Sequence, residues 1–315
     1  MSNAVLARDY YGNALLEAGR EDPRIVALDA DLQACTRTDQ FAAAFPERYF
    51  NVGIAEANMV GIAAGLASCG KKPFVNSFAM FISGRAFEQI RNSVCYPNLD
   101  VKFVGTHAGV TVGKDGATHE CIEDLACMRA IPNMTVLCPA DANEAFLITK
   151  EMARMTGPAY MRLSRLEYDE ITNVTPGYEF HFGRASWLCR GTDVALIGTG
   201  LLVPECRKAK EILAAEGIQA AVIDIHCIKP LDEEAVIEAA RTCGAIVTAE
   251  AASILGGLGD AVASAVCAHV PVPVLKTGVE DRFGRSGNPL ELMEYYHLTA
   301  PYIAEKARLA VRMKR

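Results

Sequence analysis

Short apolar runs alternate with helically spaced segments along almost the whole chain, and this alternation leaves few folds open. Residues 24 to 28, 72 to 76, 101 to 105, 135 to 138 and 159 to 163 are largely apolar and of strand length. A further short run at 48 to 50 also reads as a strand. Helical spacing marks residues 4 to 20, 57 to 69, 83 to 94, 122 to 130 and 143 to 155. Strands that are apolar on both faces, separated by helices, are the signature of a parallel sheet covered on both sides. The pattern lapses into charged and turn-forming residues from 164 to 183, then restarts with strands at 193 to 197, 219 to 225, 245 to 249 and 273 to 275. We therefore expect two doubly wound α/β domains, residues 1–165 and 191–315, joined by a linker over 166–190.

Composition narrows the functional classes. Hydrophobic residues make up 51% and charged residues 22% of the 315, as in a well-packed α/β protein. A net charge of −7 argues against nucleic acid as a partner. No apolar run reaches the ~18 residues of a membrane span. The first residues open into a helix rather than a signal peptide. The eleven cysteines form no C-x-x-C pair and lie singly in mostly apolar segments, which points to a reducing cytoplasm and no metal cage.

Several side chains are out of keeping with simple packing. Glu56, in the stretch N-V-G-I-A-E-A-N-M, sits where a strand meets a helix and is followed by Met59, Val60 and Ile62. A carboxylate among such neighbours is costly unless paired, so it either complements the helix N-terminus or serves a ligand. Residues 106 to 120 form a glycine-containing loop with His107, Asp115 and His119 just beyond a buried strand. The carboxyl edge of an open parallel sheet is where ligands bind. No third ligand at regular spacing supports a metal there. Phe78 and Phe81 end another strand and serve either as core or as a stacking surface. Arg162 and Arg165 suit a substrate phosphate or carboxylate, and equally an interdomain salt bridge. The glycine-rich stretches at 198–200 and 254–260 lack the dinucleotide fingerprint and read as tight turns.

Taken in order, G-I-x-E, S-F-x-x-F, T-H-x-G-x-x-V-G-x-D-G-x-T-H, P-A-D and L-S-R resemble the transketolase family of thiamine-diphosphate enzymes, over its pyrimidine-binding and C-terminal domains. The resemblance implies that Glu56 bonds the aminopyrimidine of thiamine diphosphate and promotes loss of the thiazolium C2 proton. It implies that Phe81 stacks on the pyrimidine, with Phe78 lining the same pocket, and that Asp31 lies in the cofactor-side loop. His119 is similar to a histidine at the donor carbonyl, and Asp115 to the acid that reads the sugar C2 hydroxyl. His107 and Arg165 resemble the residues that hold the sugar phosphate. Cys35 stands where the family usually places a phosphate-binding serine, and Lys114 and Glu120 replace a more usual acid and glutamine. Glu120 is expected to bring negative charge near the donor site.

The family binds the diphosphate and Mg²⁺ (or Ca²⁺) through G-D-G and a later Asn, and no G-D-G occurs in this chain. The expectation is therefore the C-terminal subunit of a split transketolase. An N-terminal partner would supply the diphosphate and metal site in an α₂β₂ assembly acting on sugar phosphates, ordinary pentose phosphates or more specialised sugars. Two alternatives are a decarboxylating relative that makes a 1-deoxyketose from pyruvate, as deoxyxylulose-phosphate synthase does, and a non-catalytic scaffold.

Overall fold

Ile25–Asp29, Lys72–Phe78, Lys102–Thr106 and Ala159–Arg162 are buried at every position, so both faces of their sheet are covered. In the computed structural model, which describes residues 4–314, they lie at the centre of a seven-stranded sheet. The order across it is Cys227–Lys229, Thr135–Leu137, Ala159–Arg162, Lys102–Thr106, Lys72–Phe78, Ile25–Asp29 and Tyr49–Asn51. All neighbours are parallel except the first pair. A second, five-stranded sheet runs Val274–Val279, Ile246–Ser253, Val194–Gly198, Ala220–Asp224 and Ser186–Cys189, again parallel but for its last edge. The two doubly wound α/β units expected from the strand–helix alternation are thus present. No helix among the described residues is long and apolar enough to cross a membrane.

Three details differ from the sequence expectation. Cys227–Lys229, from the second half of the chain, forms the antiparallel edge of the first sheet. Residues 166–190, read as a linker, contain Tyr168–Asp169, which pairs with Ala4–Val5, and the edge strand Ser186–Cys189. The helix expected over 83–94 is a run of widened turns, with π-helical Phe81–Arg85 and Ile90–Cys95 flanking Phe87–Gln89. Turns of this kind recur at functional sites. Two helices, Pro289–Tyr295 and Ala300–Arg312, follow the last strand.

One buried arginine ties the halves together. Arg162 Nε donates to both oxygens of Asp124, at 2.9 and 3.1 Å, and its Nη2 donates to the Ala251 carbonyl at 2.8 Å. Tyr160 adds a hydroxyl bond to Asp124 at 2.8 Å. The structure shows neither reading proposed for Arg162 as stated: its ion pair, with Asp124, lies within the first domain, and what crosses to the second is a hydrogen bond to a backbone carbonyl. The glycine-rich 254–260 turn is likewise structural: Glu250 accepts from the Leu258 and Gly259 amides, both at 2.8 Å, at the start of helix Leu258–His269. Gly257 is required there, since an added Cβ would lie 1.9 Å from Glu250 Oε2.

Removing one partner of a buried ion pair strands the other. Arg162→Met should lose about 3–5 kcal/mol of stability, read as a lower denaturant midpoint. Arg165→Met, at an exposed position, should lose no more than about 1 kcal/mol.

Candidate active site

Three central strands of the first sheet end side by side, and the chain leaving them carries Phe78, His107 and Arg165 to one edge. His107 adopts a left-handed backbone (φ +57°), and its ring stacks on Phe78 with centroids 4.0 Å apart. Phe78 lies near-parallel to Phe81 at 5.7 Å, and His119 meets Phe81 edge-on at 5.2 Å. Glu56 begins helix Glu56–Ser68 and is only 3% exposed. It joins the aromatic group through Arg85, whose Nη1 donates to its two oxygens at 3.1 and 3.3 Å while the guanidinium lies 4.2 Å from the Phe81 centroid. Glu56, Phe78, Phe81, His107 and His119 thus converge, and the sequence reading had no Arg85 among them.

A cationic group lies on the other side of His107. Arg8 Nη1 bonds His107 Nε2 at 2.9 Å, and Arg165 Nη1 bonds Asp115 Oδ2 at 3.0 Å and the Val112 carbonyl at 2.7 Å. Burial lowers the Arg8 pKa, and the Arg37 and Arg165 charges lower it further. Its buried Nε has no partner. Guanidinium groups gathered at this density call for an anion. Leu6, Arg8, Thr111, Lys114, Asp115 and Arg165 line a cleft of about 510 Å³ there. Cys35 is half-buried on the short helix Gln33–Thr36. Arg8 was missed in the sequence because it sits on a helix that reads as merely amphipathic.

His107 links the two groups as a neutral ring. Burial pushes its pKa down to about 3, helped by Arg8 and Arg165. Arginine only donates, so Nε2 is the accepting nitrogen and Nδ1 carries the hydrogen, donated to Thr106 Oγ1 at 2.9 Å. Asp31 stands apart. It is exposed, has φ +66°, and accepts from Asn51 Nδ2 at 3.2 Å. Its neighbour Asp29 is buried, bonded by Leu32 N and Thr36 Oγ1, and pushed up to about 6 by that burial.

Among the described residues one set of three potential metal ligands converges, Glu144, Asp224 and His226, all buried. Glu144 already accepts from the Ala140 amide and the Tyr178 hydroxyl. Burial and Glu144 raise the Asp224 pKa well above the carboxylate range.

Comparison with known proteins decides the family. Residues 3–170 match the transketolase pyrimidine-binding domain and residues 183–303 the transketolase C-terminal domain. The chain belongs to the transketolase family. A putative transketolase C-terminal section from Methanocaldococcus jannaschii is 46% identical over 95% of this chain and 94% of its own length. The 6-deoxy-6-sulfo-D-fructose transketolase subunit SqwH of Clostridium sp. (strain MSTE9) is 45% identical over 95% and 92%. Among solved structures, a split-gene transketolase described as an inactive β4 tetramer is 48% identical, covers 99% of this chain and 100% of its own, and has a TM-score of 0.91.

Within this transketolase-family site, Glu120 behaves differently from the sequence expectation. Although next to His119, it is 3% exposed, and neither carboxylate oxygen has a side-chain or well-formed backbone partner. It packs on the 281–287 loop of the second domain, where a Cβ at Gly284 would come within 1.7 Å of Oε2. Burial pushes its carboxyl up to about 7, and Asp115 adds to this against the opposing amides of Arg285 and Gly113.

An acid raised on folding stabilises the fold fully below its unfolded pKa, here 4.5, and the contribution is lost as pH rises through about 7. The span corresponds to at most about 3 kcal/mol. Glu120→Gln should therefore flatten the fall in stability between pH 5 and pH 8, measured by thermal unfolding at both.

Proposed function

We propose that this chain is the C-terminal subunit of a two-chain transketolase, moving a two-carbon ketol unit from a ketose phosphate to an aldose. The observation that carries the proposal is Glu56: a buried carboxylate at a helix start, bridged by Arg85 to the face of Phe81, with His119 at the ring edge. This donor set fits an aminopyrimidine, which needs one carboxyl to bond a ring nitrogen and an aromatic face to stack on. Thiamine diphosphate, when bound, supplies the nucleophilic carbon that carries the two-carbon unit. Glu56 holds the proton at the pyrimidine nitrogen, and Phe81 and Phe78 orient the ring. His119 donates to oxyanion charge at the donor carbonyl, and Asp115 orients the sugar hydroxyls. Arg8, Arg165, neutral His107 and Cys35 bind the anionic end of the substrate. Asp31 is assigned to the rim of the cofactor site.

The diphosphate and its Mg²⁺ (or Ca²⁺) belong to an N-terminal partner carrying G-D-G, in an α₂β₂ assembly. Two relatives that this chain matches over nearly their whole length are named as a C-terminal section and a subunit, which supports a shared enzyme. The name of the second supports sugars with a strongly anionic end as substrates, beyond the pentose phosphates.

The chain mixed with its partner should catalyse ketol transfer that depends on thiamine diphosphate and Mg²⁺; transfer by this chain alone would sink the two-chain reading. Pyruvate as sole donor, with release of carbon dioxide, would replace it with the decarboxylating one. In the complex, Glu56→Gln should lower kcat by about 10²–10⁴-fold without loss of assembly. Arg8→Gln should raise KM for a phosphorylated sugar by roughly ten- to a hundredfold and leave kcat for a neutral ketose unchanged.

A further inference from the structure

We propose that Arg85 is a displaceable stand-in for the cofactor ring, held between Glu56 and Phe81 until the pyrimidine takes its place. The inference rests on the proposed thiamine site and adds a residue that governs how readily that site is filled. Glu56 is 3% exposed, so its carboxylate needs a partner at all times. Arg85 provides one, with Nη1 shared between both oxygens at 3.1 and 3.3 Å. The same guanidinium lies 4.2 Å from the Phe81 centroid. A planar cation that stacks on an aromatic face and donates to a carboxylate satisfies the two contacts an aminopyrimidine would make.

The surroundings leave little choice of position. Phe78 lies near-parallel to Phe81, and His119 stands against its edge. The guanidinium reaches both Phe81 and Glu56, so it stands in the space where a ring could touch both. Arg85 can leave it, because its side chain is 52% exposed while that of Glu56 is 3% exposed. Its stem comes from the widened turn Phe81–Arg85, which puts the arginine and the ring it covers on one element. Arg85 thus protects the buried acid before loading and opposes the cofactor during loading. The opposition is set by one ion pair and one cation–π contact at a half-exposed position, so it is modest.

The test is titration calorimetry of thiamine diphosphate with Mg²⁺ into the assembled two-chain complex, with stopped-flow association beside it. Arg85→Met keeps a similar stem and removes the charge. It should bind the cofactor several-fold to about tenfold more tightly and associate faster, with Arg85→Lys in between. On a Glu56→Gln background, which loosens the arginine, the gain from Arg85→Met should shrink. Unchanged or weaker binding by Arg85→Met, with the complex intact by mass, would overturn the proposal and make Arg85 a spectator or a cofactor contact. If Glu56→Gln alone leaves the affinity unchanged, the thiamine site itself is misplaced, a failure separable from that of Arg85.

Discussion

The architecture hangs on the buried guanidinium of Arg162. It ends a central strand of the first sheet, holds Asp124 at the start of the helix that follows the two-histidine loop, and reaches the Ala251 carbonyl in the second sheet. The loop is pressed onto the same point: a Cβ at Gly109, whose φ is +74°, would lie 2.6 Å from the Ala251 oxygen and 3.1 Å from Arg162 Nη2. The loop carrying His107, Asp115 and His119 is therefore clamped from both domains. Its side chains are placed by interdomain packing as much as by the strand that delivers them. Cys227–Lys229 works in the same direction, since the second half of the chain closes the edge of the first sheet.

Within that frame the chemistry divides at one neutral histidine. On one side of His107 lies an aromatic pocket with a buried acid; on the other lie Arg8, whose pKa burial and neighbouring arginines lower, and Arg165. A charged imidazole would repel Arg8 and Arg165 and lose the hydrogen bond that Nε2 accepts. Burial removes that difficulty by keeping the ring uncharged near neutral pH. The same low exposure that makes Glu56 costly keeps His107 neutral, and the partners of both come from the first domain.

Much of the fold was legible because strands buried on both faces appear as apolar runs whatever surrounds them. Cys227–Lys229 was not, since three residues before Pro230 look like the tail of the preceding strand. The widened turns after Phe81 were missed because apolar spacing alone does not separate a π-helical turn from an α-helical one. Side chains on the loop were legible as a motif, but their partners were not. Arg162 and Arg165 sit three apart and read alike, yet one is 3% exposed and spans the domains while the other reaches Asp115 at the surface. Arg8 and Arg85 lie on helical segments where any basic residue reads as solvated surface, so tertiary placement alone distinguishes them. Glu120 reads as charge next to His119, whereas its side chain turns away into the 281–287 loop.

The helix that Glu56 begins has a face that this chain leaves uncovered. It buries Met59, Val60, Ala63 and Ala64 but turns Gly61, Ile62 and Gly65 outward, and the approach to it exposes Phe50 and Ile54. Asn58 and Ser68 are the polar side chains on that outward face, and exposed Ile62, Phe50 and Ile54 leave apolar surface of the kind that a partner covers. The buried acid at the helix tip depends on one half-exposed arginine as its partner. Both needs would be met at once by a second polypeptide laid along this helix, because it would exclude water from the apolar face and from the carboxylate together. Association with such a polypeptide would then bear on the same helix whose first residue is Glu56.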